Sequence, residues 1–221
     1  MDHFTPKLWL GMTATPDKRD DNVEGRNVYE IFNYQIAYEI RLQQAMEENL
    51  LCPFHYFGIT DLSMIGDEEA ARDFNMLTSD ERVRHIVNQA DYYGYSGDKV
   101  KGLIFCSNIK ETEELSAKFN QIINPATGKN FRTVALNGSA SEQERQDAFE
   151  RLAMNEDESS EDRQPLDYIF SVEILNEGVD IVEVNQVIML RPTQSPIVFI
   201  QQLGRGLRKA SGNEDATSIE Y

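Results

Sequence analysis

A chain of 221 residues is long enough to bury the core of one large domain, or of one domain with an appendage. Its 38 acidic against 21 basic side chains give a net charge of −17, an average field that repels phosphate and argues against a freestanding nucleic-acid binder. Cys52 and Cys106 are too few and too far apart for a zinc site and read as small buried hydrophobes with no structural disulfide expected, His3, His55 and His85 form no ligand spacing, and no apolar run approaches a membrane span. Met1-Asp2-His3 opens without the basic and apolar regions of a signal peptide, so the expectation is a cytoplasmic protein with no metal held by its own side chains and no membrane partner.

In chain order, Leu8-Trp9-Leu10-Gly11-Met12 reads as one strand ending in Thr13-Ala14-Thr15-Pro16, followed by a charged, turn-like run from Asp17 to Asn22. Tyr38, Leu42, Ala45 and Met46 recur at helical spacing. From about residue 50, short apolar runs alternate with amphipathic segments, the pattern of a parallel sheet wrapped by helices. The expected strands are Pro53 to Thr60, Lys101 to Ser107, Arg132 to Leu136, Leu166 to Val172 and Gln186 to Leu190. Between them, Val83, Ile86, Val87 and Ala90 form one helical stripe, and Leu115, Phe119, Ile122 and Ile123 a second. Ala148, Phe149, Leu152 and Ala153 form a third, entered through Ser141 and Glu144 as a capping box. The acids gather in Asp67-Glu68-Glu69 and in the run from Glu156 to Asp162, whereas Arg191, Arg205, Arg208 and Lys209 lie near the C-terminus. Any attraction for phosphate is therefore local or shared with another domain.

The most informative stretch is Gln201-Gln202-Leu203-Gly204-Arg205-Gly206-Leu207-Arg208. Ser195-Pro196 supplies an N-cap and a first-turn proline, and Gln201, Arg205 and Arg208 fall at i, i+4 and i+7, on one helix face. Ile197, Ile200, Leu203, Gly204 and Leu207 form the packing stripe of the same helix. Two guanidinium groups at such an edge suit a polyphosphate, because the planar fork pairs with two oxygens and keeps its charge. The competing assignment is a surface salt-bridge face. Upstream, Asn176-Glu177-Gly178-Val179-Asp180-Ile181 offers a glycine for close backbone approach and a carboxylate suited to ribose hydroxyls. Leu103-Ile104-Phe105-Cys106-Ser107-Asn108 is a strand with a polar exit, and Leu136-Asn137-Gly138-Ser139 is the corresponding exit of the next. Asn108 followed by Glu111 is equally a good helix start. A phosphate-binding loop is missing: Thr127-Gly128-Lys129-Asn130 lacks both the leading glycine and the hydroxyl that follows the lysine.

Taken in order, the Thr-Ala-Thr-Pro strand, the Glu-Gly-x-Asp loop and the Gln-x-x-Gly-Arg-x-x-Arg helix resemble motifs III, V and VI of superfamily-2 helicases and translocases of the DEAD/DEAH type. The similarity runs towards the branch that includes restriction-enzyme motor subunits and the repair helicase UvrB, and it spans essentially the whole chain. It implies an α/β fold, a RecA-like parallel sheet flanked by helices, of the P-loop NTPase type but acting as a second lobe without its own phosphate loop. Residues 1–24 would be the tail of the first lobe with a linker, and residues 25–221 the C-terminal lobe.

By the same resemblance, Arg205 and Arg208 would be arginine fingers reaching across an interdomain cleft, with Gln201 sensing phosphate or orienting one of them. Glu177, Gly178, Asp180 and Gly204 would line the nucleotide, Ser107, Asn108, Asn137, Gly138 and Ser139 would face the nucleic-acid track, and Thr13 and Thr15 would couple the two. The implied cofactors are ATP and a magnesium ion held mainly by the first lobe. The implied partners are that lobe and DNA, as single strand or duplex. Two departures stand out: Val172 replaces a hydroxyl residue near the start of motif V, and Asn137 occupies a position where relatives often carry His. The alternatives are a double-stranded DNA translocase of restriction type and a non-catalytic interaction module on the same fold.

Overall fold

The structure, a computed structural model, describes residues 7–13, 28–59, 74–172, 184–191, 204 and 216–220. The chain divides into two compact units, Met1–Glu47 and Glu48–Tyr221. The domain boundary expected between residues 24 and 25 lies outside the described residues.

In the first unit, α1 (Val28–Ile31) and α2 (Leu42–Glu47) are short. The helix expected from Tyr38 onward begins only at Leu42; Ala45 is buried, whereas Tyr38 is exposed. Leu8 to Met12, expected as a strand, forms none, and Leu8, Leu10 and Met12 are more than three-quarters exposed. A strand is held by its ladder, and an apolar segment without one has no cause to extend. Gly11 lies against the Phe32 ring so closely that a Cβ there would overlap it.

The second unit opens with β1 (Phe54–Gly58), the single turn α3 (Phe74–Leu77) and the helix α4 (Asp80–Tyr93). Ser79 caps α4 by accepting from the Arg82 N–H, and Gly94 ends it at φ 67°, a conformation in which a side chain would be strained. Then follow β2 (Gly102–Phe105), α5 (Ile109–Phe119), β3 (Thr133–Leu136), α6 (Glu142–Ala153), β4 (Tyr168–Ser171), β5 (Gln186–Met189) and β6 (Ala216–Glu220). The expected capping box is present: Ser141 accepts from the Glu144 N–H, and the Glu144 carboxylate accepts from the Ser141 N–H.

Among the described residues the strand pairs are all parallel, in the order β1-β6-β5-β2-β4-β3. Every residue of β2, β4 and β5 is buried, as a central parallel strand covered on both faces requires. Their side chains alternate between two cores. Ile104, Phe170 and Ile188 pack with Val83, Ile86, Leu115 and Phe119 beneath α4 and α5. Leu103, Phe105, Ile169, Val187 and Met189 pack with Ala148 and Leu152 of α6. Each such side chain contributes roughly 1.5–3 kcal/mol of burial free energy, so the central strands carry most of the sheet's stability.

Two features depart from the expected elements. β6 was not anticipated; it lies between β1 and β5, and among the described residues β1 meets the sheet through it. The second stripe also ends early: α5 stops at Phe119, and Ile123 is largely exposed in an antiparallel bridge with Asn130. That bridge closes the turn holding Thr127, Gly128 and Lys129, in which the Gly128 N–H donates to the Asn124 carbonyl at 2.9 Å and the Asn124 N–H to the Lys129 carbonyl at 2.7 Å. The segment closes on itself and forms no phosphate cradle.

Candidate functional site

In an open parallel sheet, ligands gather outside the carboxyl ends of the strands, where the loops to the following helices diverge. Here the exits of β5, β2, β4 and β3 are consecutive neighbours, and Phe105 aligns with Met189 on one side and Ser171 on the other. Leu136 aligns with the far side of Ser171. The two loops expected to face nucleic acid, after β2 and after β3, therefore flank the end of β4.

The loop after β2 is tied down from below. Asn108 is extended at φ −154° and caps α5, its Oδ1 accepting from the Glu111 N–H at 2.9 Å. Thr112 Oγ1 donates to the Asn108 carbonyl at 2.8 Å, and the Ser107 N–H donates to Glu111 Oε2 at 2.7 Å. Ser107 is half-buried and Asn108 exposed. The cap uses the Asn108 oxygen and leaves both of its NH2 hydrogens to other partners. Cys106, between β2 and this loop, is buried, which pushes its thiol well above the ordinary range, and the nearby Glu111 carboxylate adds to the shift.

The loop after β3 is a self-contained turn. Asn137 Oδ1 accepts from both the backbone N–H and the hydroxyl of Ser139, at 2.9 and 2.6 Å, and the Ala140 N–H donates to the Asn137 carbonyl at 3.0 Å. Gly138 and Ser139 are exposed, and the Gly138 carbonyl accepts from the Arg145 guanidinium at 3.2 Å. The helix that follows begins with its box closed. Hydrogen bonds from the Ser141 backbone and hydroxyl hold the Glu144 carboxyl below the usual carboxylate range.

A buried ion pair that sequence reasoning missed underlies the first of these loops. Arg82 of α4 and Glu111 of α5 are 1% and 0% exposed and meet at 2.8 Å. Arg82 also donates to the Leu77 carbonyl at 2.6 Å and to the Leu190 carbonyl, just past β5, at 3.4 Å. Glu111 uses its second oxygen for the Ser107 amide. The only local signal was Glu111 in the first turn of a helix, which the Asn108 cap already accounts for, while Arg82 read as one more polar position on an amphipathic helix. Nothing local pairs residues on two different helices.

Of the remaining expected site residues, Gly204 is a half-buried turn residue and Thr13 is exposed in the first unit. Gln201, Arg205, Arg208, Glu177, Gly178, Asp180 and Thr15 lie outside the described residues. Among the described residues no cluster of His, Cys, Asp and Glu could hold a metal ion, and no helix is long and apolar enough to cross a membrane.

The helicase conserved C-terminal domain matches residues 81–210, a span that starts in α4, includes both loops and extends through Arg205 and Arg208. The chain belongs to this helicase family. Its sheet is that of the RecA-like C-terminal lobe of superfamily-2 helicases. The helicase lobe is similar in fold to the ATP-dependent Type ISP restriction-modification enzyme LlaBIII bound to DNA, with a TM-score of 0.59 and 19% identity over 88% of this chain and 14% of that one. It is also similar to a DEAD box protein from the hyperthermophile Methanococcus jannaschii, with a TM-score of 0.50 and 17% identity over 87% of this chain and 42% of that one. The helicase lobe thus spans less than half of either protein. No curated protein matches it.

Proposed function

We propose that the chain is the C-terminal motor lobe of an ATP-dependent DNA helicase or translocase, contributing part of the strand track and the two arginines of its last motif. The observation that carries the proposal is the pair of polar loops flanking β4 on a RecA-like sheet, within a helicase-family match that extends through Arg208. Ser107, Asn108, Asn137, Gly138 and Ser139 supply backbone and side-chain groups of the kind that position a sugar–phosphate backbone without reading bases. DNA is preferred over RNA because LlaBIII, whose similarity covers 88% of this chain though only 14% of its own, is a restriction-modification enzyme bound to DNA.

On this reading the chain supplies only part of the nucleotide site. The Thr127–Lys129 turn is closed by its own backbone hydrogen bonds, and the 221-residue sequence has no glycine–lysine pair followed by a hydroxyl residue. ATP and magnesium then belong mainly to a first lobe, and their hydrolysis supplies the free energy for stepping. The role left to this chain is to bring Gln201, Arg205 and Arg208 to the shared cleft, with Glu177, Gly178, Asp180 and Gly204 as the neighbouring nucleotide contacts. Thr13 and Thr15 belong to the coupling segment between the lobes.

The test is made in the two-lobe protein. Arg205→Ala or Arg208→Ala should depress DNA-stimulated turnover by about 10³-fold while changing equilibrium nucleotide affinity little, and lysine should rescue poorly. Near-normal turnover together with a lowered melting temperature would make that helix face structural and overturn the proposal. Parallel assays with DNA and RNA decide the nucleic acid, and triplex displacement without duplex unwinding selects the translocase form.

A further inference from the structure

The buried pair Arg82–Glu111 spends its spare hydrogen-bonding capacity in an informative way. A pair serving stability alone is often replaceable by apolar side chains of similar volume. This one also reaches backbone where regular structure ends: the Leu77 carbonyl at the end of α3, the Leu190 carbonyl at the exit of β5, and the Ser107 N–H at the exit of β2. β2 and β5 are adjacent and in register, Phe105 opposite Met189, so the pair lies between two neighbouring exits of the carboxyl edge. One exit leads into the Ser107–Asn108 loop, and the other leads towards the arginine-bearing segment of the sequence.

We infer that Arg82 and Glu111 are positioning residues for the strand track: Arg82 fixes the Glu111 carboxylate, and Glu111 fixes the Ser107 amide and hence the height of the loop at the sheet edge. Neither side chain touches the strand, since both are buried. The inference rests on the proposed function for what the loop contacts, but the anchoring itself does not depend on it. A carboxylate with one oxygen on a guanidinium and the other on a backbone amide has a single favourable orientation, so the loop is held before any strand arrives. Preorganisation of this kind lowers the ordering cost of binding and leaves the chemical step alone.

The experiment compares Arg82→Met/Glu111→Leu with Arg82→Met/Glu111→Gln. Both remove the buried charges, but only glutamine keeps an oxygen that accepts the Ser107 N–H. In the two-lobe protein, the single-stranded DNA concentration for half-maximal ATP turnover should rise about tenfold in the leucine variant and less than threefold in the glutamine variant. Turnover at saturating DNA should stay within twofold of wild type in both. In amide exchange on this chain, Ser107 should lose protection at least tenfold in the leucine variant, while Ile104 in β2 keeps its protection. Equal DNA requirements in the two variants, or an unchanged Ser107 amide, would overturn the inference. A wild-type protein showing no stimulation by any nucleic acid would overturn the proposed function and the track role with it, and the exchange comparison would still decide whether Glu111 anchors the loop.

Discussion

Gly102 of β2 lies against the ring of Tyr168, its register partner on β4, so closely that a Cβ at position 102 would overlap Tyr168 Cδ1 and Cε1. The ring is not free to retreat. Its hydroxyl donates to Gln186 Oε1 at 2.6 Å, and Gln186 Nε2 donates in turn to the carbonyls of Ala90 and Gly94, at 2.9 and 2.8 Å. Three strands and the end of α4 thus meet at one residue that must lack a side chain.

Gly102→Ala should therefore destabilise the lobe by overpacking, by about 2 kcal/mol, enough to lower the melting temperature by roughly 4–8 °C in a domain of this size. Thermal unfolding followed by circular dichroism measures it. An unchanged melting temperature would mean that the Tyr168 ring relocates without breaking its bond to Gln186.

The Arg82–Glu111 pair should show strong coupling in stability. Arg82→Met alone leaves a buried carboxylate without its cation, at a cost of about 3–5 kcal/mol. Arg82→Met/Glu111→Leu should recover most of that loss, because no charge then remains inside. Urea unfolding of the wild type, both single variants and the double variant closes the cycle, and additive losses would contradict the buried-charge account.

Lys99 carries a pH signature in the alkaline range. Burial holds its ammonium down to about 8 from an ordinary 10.5, with the nearby Asp167 carboxylate opposing the shift. The folded value lies below the unfolded one, so the folded state carries a penalty for the charged lysine at neutral pH, relieved as pH rises from about 8 towards 10.5. Lys99→Met should raise the denaturation midpoint at pH 7, and its advantage should shrink steadily through that window. An advantage independent of pH would show that packing, not charge burial, is responsible.

Asn108 separates a structural role from a contact role. Asn108→Ala removes the cap of α5 and should cost about 1 kcal/mol of stability. Asn108→Ser keeps a capping oxygen but removes the NH2 donors, so it should fold like the wild type and still bind single-stranded DNA more weakly. Fluorescence anisotropy beside thermal unfolding tells them apart, and DNA affinity that follows stability alone would leave Asn108 as a cap and nothing more.

With a net charge of −17, the chain by itself should hold single-stranded DNA weakly and with a steep salt dependence. For contacts to two or three phosphates, affinity should fall about tenfold between 50 and 200 mM salt. Binding indifferent to salt would contradict a backbone track.

Features that depend on near neighbours were legible along the chain. The runs that became β2, β4 and β5 are apolar on both faces, which only a covered parallel strand tolerates, and the caps at Asn108 and Ser141 are written within four residues. The motif residues at the exits of β2 and β3 could be placed at a carboxyl edge because alternating strands and helices leave a parallel sheet little choice of topology. Features that depend on distant partners arose only on folding. Ala216 to Glu220 has too little apolar periodicity to announce a strand, and it becomes β6 only because β1 and β5 offer it two unpaired edges. Leu8 to Met12 has the composition of a strand and forms none, since no ladder receives it. Arg82 and Glu111 read as ordinary polar positions on two amphipathic helices, and their meeting is fixed only when α4 and α5 pack on the same face of the sheet. A buried charge pair leaves no periodic trace in sequence, because its stability comes from the partner that the fold brings to it and not from its neighbours along the chain.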